Sequence, residues 1–285
     1  MVIESETALV DPSTLADALW FRGLCLARLG QFTDSRQDFE ALITLSESLH
    51  GADNPELGWA MMDFAESSII AGDFALAEPL LTRAERIFTE RLGPDHADTQ
   101  VAHYHRARMA HWGGDPARAV PLFRKALDHW SVSLGDDHPW SLFTRAELGW
   151  ALAQTGQRPA ALEAIERSQA LAADKLKDNP STRSFFRETW LRTHLALGNL
   201  DAAEAELPRL RDDLAAGVPP SHPRWALADC LEAEIALARD RTEPARTALA
   251  RCEAGLESAL AGLPAENYRR AWAGKVRRMI ESVAP

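Results

Sequence analysis

Between Glu56 and Ala71 the apolar side chains Met61, Phe64, Ala65 and Ile69, with Ser68 among them, fall at the spacing of one helix face. Gly72-Asp73 interrupts the pattern, and a glycine there suits the left-handed turn that ends a helix. A second stripe follows in Phe74, Ala77, Leu80, Leu81, Ala84, Ile87 and Phe88, and Leu92-Gly93-Pro94-Asp95-His96 closes the unit. Two helices and two turns are therefore predicted from Pro55 to His96. The same unit returns every 42 residues: Gly30, Gly72, Gly114, Gly156 and Gly198 keep the interval, and Asp240 takes the sixth place. Five positions on stands a small residue each time: Ser35, Ala77, Ala119, Ala161, Ala203 and Ala245. Seven positions before stand Gly23, Ala65, Ala107, Gly149, Leu191 and Ala233. Where two helices of a hairpin come closest, a side chain larger than Ala would push the axes apart. A fixed period of this length marks a stacked array, which offers a long surface and rarely a catalytic centre.

The closing turns keep the same register. Asp53-Asn54-Pro55, Asp95-His96-Ala97, Asp137-His138-Pro139, Asn179-Pro180 and Ser221-His222-Pro223 each offer an Asp, Asn or Ser as helix N-cap, usually with Pro in the first turn. Together, a small residue, then seven positions on Gly-x-aromatic-x-x-Ala, is similar to the tetratricopeptide repeat. The 42-residue period and the linkers Leu92–His96 and Leu134–Pro139 resemble its kinesin-light-chain-type subclass, found also in bacterial signalling and regulatory proteins. The resemblance spans about residues 13–262 and is clearest in repeats two and three.

The expected fold is all-α: a solenoid of antiparallel helix hairpins, its right-handed superhelix implied by the resemblance, ended by a C-terminal capping helix. The expected units are 13–54, 55–96, 97–138, 139–180, 181–222 and 223–262, with 263–285 as the cap. Ile3–Pro12 align, one period back, with Leu45–Asn54, the end of a second helix and its turn, so residues 1–12 are expected to be the end of a preceding repeat of a longer protein, or a leader. Pro264–Ser282 carries the stripe Tyr268, Trp272, Val276, Met279/Ile280 and Val283, with basic residues mainly elsewhere, as expected of a solvating cap.

In the family the first helices line a concave groove. The resemblance places Trp59, Met62 and Glu66 there from the second repeat, and Tyr104, Arg108, His111 and Trp112 from the third. Phe143 and Trp150 follow from the fourth, and Phe185, Glu188 and Arg192 from the fifth. Aromatic residues and arginines concentrate binding energy at interfaces, although Trp20, Trp59 and Trp150 equally suit the seams between stacked helices. Peptide-binding members carry Asn at the fifth or sixth position of these helices. Here Met62-Asp63, Tyr104-His105, Ala146-Glu147 and Glu188-Thr189 stand instead, which favours a folded partner or a helix over an extended peptide.

Composition narrows the chemistry. A net charge of −11 argues against nucleic acid, and no apolar run reaches the ~20 residues of a membrane span. Cys25, Cys230 and Cys252 lack metal spacing and read as small buried hydrophobes in a reducing, cytoplasmic compartment. His103, His105 and His111 miss the i, i+4 geometry of a zinc helix. Asp136-Asp137 and Asp212-Asp213 read as caps rather than metal carboxylates. No nucleophile–base pair is visible, so no catalytic residue, metal or cofactor is expected. The function expected is non-enzymatic binding of a protein or peptide segment in the groove. A regulatory region of a larger bacterial signalling protein, such as a serine/threonine kinase, and a signal-peptide or small-ligand sensor stay open. So does a homo-oligomer.

Overall fold

The computed structural model describes residues 11–259 together with 273, 276 and 277. Among them are twelve α-helices and no strand. These are α1 (Pro12–Arg28), α2 (Phe32–His50), α3 (Pro55–Ala71), α4 (Phe74–Arg91), α5 (Ala97–Trp112) and α6 (Pro116–Ser133). Then come α7 (Pro139–Gln154), α8 (Arg158–Lys175), α9 (Pro180–Ala196), α10 (Leu200–Gly217), α11 (Arg224–Ala238) and α12 (Thr242–Ala259). They pack as consecutive hairpins in a solenoid. Two compact units divide the chain, one holding residues up to 102 except 72–74, the other holding 72–74 and those from 103 onward.

Turn chemistry explains the register. Gly30, Gly72, Gly114, Gly156 and Gly198 all have φ between 69° and 94°, and Asp240 has φ 58°, the one positive-φ residue other than glycine among those described. The N–H three residues past the helix reaches back five residues, as from Gln31 to Leu26 and from Arg241 to Ala236, both 2.8 Å. This is the Schellman closure, which needs a left-handed residue. Asp pays about 1 kcal/mol there that Gly does not. Asp240→Gly should therefore stabilise the protein by roughly 0.5–1 kcal/mol, read from urea midpoints; a loss of stability would show that the Asp240 side chain has another role.

Small residues close each hairpin. Ser35, Ala77, Ala119, Ala161, Ala203 and Ala245 are all completely buried. A Cβ on Gly149 would come within 3.3 Å of Ala164, and one on Gly23 within 3.2 Å of Phe39. Ala119→Leu should cost roughly 1–3 kcal/mol by overpacking, and an unchanged urea midpoint would mean the hairpin can open at no cost.

The helix starts correct one expectation. At 54 and 179 the cap is Asn, as expected. At 96, 138 and 222 it is the imidazole: Nδ1 of each His accepts the N–H two residues on, at 3.1–3.3 Å. Asp136 instead accepts from Arg145 and Arg167, and Asp137 pairs with Lys175. Asp213 is no cap either. It lies buried inside α10 and receives Arg183 (Nε, 2.8 Å) and Arg187 (Nε, 2.6 Å) from α9. The cysteines are a second correction. Cys25 is exposed, and Cys230 of α11 is bonded to Cys252 of α12 across a Cα–Cα distance of 5.2 Å. Neighbouring helices of one hairpin bring that pair into disulfide range. Of the expected cap, Ala273 and Val276 are buried and Arg277 pairs with Glu253; the rest of 263–285, like residues 1–10, lies outside the described residues.

Candidate functional site

The expected groove residues fall into both compact units. In the first, Met62 is buried in α3, while Trp59 and Glu66 of the same helix are half-buried. Trp59 stacks edge-on against Phe88 of α4 (5.8 Å) and donates Nε1–H to Asp98 (3.1 Å). Trp20 of α1 donates its own Nε1–H to Asp63 of α3, at 2.6 Å. These tryptophans tie each first helix to the next one along the array.

In the second unit α5, α7 and α9 gather most of the remaining residues around one cluster. Arg108 is its hub. Its guanidinium carbon lies 5.7 Å from the ring centre of Tyr104, 5.1 Å from that of Trp112 and 5.9 Å from that of Phe185. So α5 reaches α9 by side chains that pass over α7. Beneath them Glu147 of α7, completely buried, stands 3.8 Å from Arg108 Nε and 3.2 Å from His111 Nδ1, and accepts Trp112 Nε1–H at 3.2 Å. The other His111 nitrogen meets Gln154 at 2.8 Å, and its ring lies 4.2 Å from Trp150. Arg192 stacks over Trp150 at 4.9 Å and forks onto Glu188 one turn before it (3.1 and 3.0 Å). Guanidinium on indole and guanidinium on carboxylate are both favoured by its planar, weakly hydrated fork.

Tyr104, Arg108, His111, Trp112, Trp150, Glu188 and Arg192 are all buried in this arrangement, with the polar ones paired. Phe143 and Phe185 are half-buried and meet edge to face at 5.2 Å. Arg224, at the start of α11, completes the cluster: it lies 5.3 Å over Phe185, 3.7 Å from Glu188, and donates to Ser184 at 2.9 Å. Burial holds its guanidinium below the ordinary value, Glu188 opposes this, and the charge of Arg108 adds to it. Position counting missed Arg224, because it stands three residues before the first groove position of its helix, Leu227. Glu147 was legible only as a missing asparagine.

Among the described residues no three His, Cys, Asp or Glu come together as a metal site, and no helix is long and apolar enough to cross a membrane. His105 is buried against Tyr104 (5.2 Å) and Trp140 (6.2 Å).

The sequence model of the tetratricopeptide repeat matches residues 14–90 and 98–174, more than half of the chain. No curated protein sequence matches it. Solved structures share the fold. A kinesin-light-chain-like protein of Podosopora anserina with nearly identical TPR-like repeats aligns over 71% of this chain and 96% of its own, at 22% identity and a TM-score of 0.50. Aspartyl phosphate phosphatase F from Bacillus subtilis aligns over 95% and 70%, at 14% identity and a TM-score of 0.60. A Rap protein complexed with competence and sporulation factor aligns over 91% and 79%, at 17% identity and a TM-score of 0.53.

Proposed function

Because the chain belongs to the tetratricopeptide repeat family, we propose that it is a non-enzymatic interaction module that receives a protein or peptide segment against the cluster of α5, α7 and α9. One observation carries this reading: two buried arginines, Arg108 and Arg192, lie stacked on aromatic rings from three successive first helices. Buried and paired with Glu147 and Glu188, these arginines hold the aromatic cluster rigid, so a partner that packs against its edge loses little side-chain freedom. Phe143 and Phe185, both half-buried, form the accessible edge that the partner meets first. The Rap protein that shares this fold is held with competence and sporulation factor, which supports the use of the array as a receptor. Phosphatase F shares the fold too, but here the clustered side chains are paired to each other with no nucleophile among them, which supports binding without chemistry.

The test takes a partner recovered from the native host on immobilised protein and measures its affinity for variants. Phe143→Ala and Phe185→Ala should each weaken binding by ~1–3 kcal/mol. Arg124→Ala on α6, whose side chain is exposed and reaches only Gln157, should leave affinity unchanged. Melting curves record whether each variant folds. Folded Phe143 and Phe185 variants with full affinity would move the site away from this cluster.

A further inference from the structure

The hairpin of α11 and α12 has a strained turn and a covalent link between its helices. Its turn residue Asp240 stands at φ 58°, where the five earlier turns use glycine, and Cys230 of α11 is bonded to Cys252 of α12. One to four periods earlier the same two positions hold Glu188 and Leu210, Ala146 and Ser168, Tyr104 and Ala126, and Met62 and Ala84. All of these are buried, so the earlier hairpins close at this register by packing alone. The hairpin of α11 and α12 therefore does not need the bond to reach its fold. The bond supplies resistance to opening, in the hairpin where a left-handed aspartate weakens the turn.

Packing keeps the two cysteines together in either oxidation state. Both are completely buried. One turn before Cys230, Ala226 approaches α12 so closely that a Cβ added to Gly255 would lie 2.8 Å from its own. Arg251, beside Cys252, donates to Asp229 (3.2 Å) and Glu232 (2.7 Å), which flank Cys230 on α11. Thiols released at these positions stay neighbours and can be joined again.

We propose that Cys230 and Cys252 form a redox-operated lock: oxidised, it keeps α12 closed on α11; reduced, it lets the hairpin open about its strained turn. The chemistry is thiol–disulfide exchange with a dithiol reductant. A thiolate of the reductant attacks one sulfur, the S–S bond breaks, and the other cysteine leaves as a thiolate that takes up a proton. The second thiolate of the reductant then displaces the first cysteine from the mixed disulfide. The reductant ends as a disulfide and the protein as two thiols; a disulfide oxidant runs the same steps backwards. Because both sulfurs are buried, exchange waits on an opening of the hairpin. Helix α11 also carries Arg224, which lies over Phe185 and donates to Ser184 of α9, so the lock bears on one wall of the aromatic cluster. It does so whether or not that cluster receives a partner.

The test uses the full chain with Cys25→Ser, which alters an exposed side chain and leaves only the pair to titrate. Equilibrated with oxidised glutathione and then denatured, it should offer no thiol to an alkylating reagent; equilibrated with dithiothreitol, it should offer both Cys230 and Cys252. Hydrogen exchange of the α11 and α12 amides should be faster in the reduced form by about tenfold or more, with α5 to α8 unchanged, and reoxidation should restore slow exchange. Cys230→Ala combined with Cys252→Ala should exchange like the reduced form with or without dithiothreitol. Should that variant fail to fold, the two oxidation states of the parent still decide the matter. Thiols that oxidised glutathione cannot join overturn the proposal, and so does equal exchange of α11 and α12 in the two forms.

Discussion

Glu147→Ala should lower the unfolding free energy by about 3–5 kcal/mol, the largest loss expected from a single substitution in the second unit. The carboxylate is completely buried: it accepts Trp112 Nε1–H, faces His111 Nδ1 and stands in ion-pair range of Arg108, all three on α5. Alanine removes the countercharge while the guanidinium stays in place, and returning that charge to water means pulling Arg108 out from between Tyr104, Trp112 and Phe185. The pair itself contributes little net stability. It is the breaking of it that costs, because one desolvated ion remains. Glu147→Gln should cost distinctly less, since an amide oxygen still accepts from Trp112 or His111. Urea unfolding of both variants checks the order. Equal losses would mean that volume rather than charge governs the site, and losses under 1 kcal/mol in both would mean that α5 and α7 separate easily there.

The hairpin architecture was legible because its determinants are local. A residue with positive φ next to a helix end is nearly always glycine, whatever surrounds it, so five glycines in register announce five turns, and Asp240 takes the sixth turn at a cost. Small residues such as Ala119 likewise report only that another helix is close. The histidine caps were legible in position but not in kind. The turns of 96, 138 and 222 keep the 42-residue register, yet which side chain caps depends on a rotamer and a ring tautomer that composition does not record. The disulfide had a signal that went unused. Cys230 and Cys252 stand 22 apart, as do Met62 and Ala84 of the second hairpin, both of which are buried. Two helix positions facing across a hairpin are neighbours whatever the residues are. Accessibility of the groove residues was the least legible property. Arg108 is long enough to span from α5 to Phe185 on α9, so whether it projects into water or folds over its neighbours depends on partners about 77 residues away in sequence, a separation across which helical periodicity carries no information.

Asp63 should make the first unit less stable as pH rises from about 4 to 7. Burial beside Trp20 pushes its carboxyl up to about 7, the charge of Glu66 pushes the same way, and the bond from Trp20 with the charge of Arg28 opposes them. The folded chain therefore holds a proton on Asp63 across a range in which the unfolded chain, with the ordinary value of 3.8, has released it. A group bound more tightly to protons when folded stabilises fully below the unfolded value, and that contribution is lost as pH climbs through the folded one. The loss from end to end is roughly 2–4 kcal/mol, scaling as 1.36 kcal/mol per unit and moderated by the partial exposure of the side chain. Asp63→Asn keeps an oxygen to accept Trp20 Nε1–H, which in the parent lies 2.6 Å from Oδ2, and it cannot ionise. Parent and variant should thus be of similar stability near pH 4, and the variant should be the more stable by that amount at pH 8, with about a third of the difference already present at pH 5. Taking the difference between the two proteins at each pH cancels every other titrating group. A difference that stays flat from pH 4.5 to 8.5 would show that Asp63 is ionised in the folded chain throughout, its charge met by Trp20 and Arg28 rather than suppressed by its surroundings.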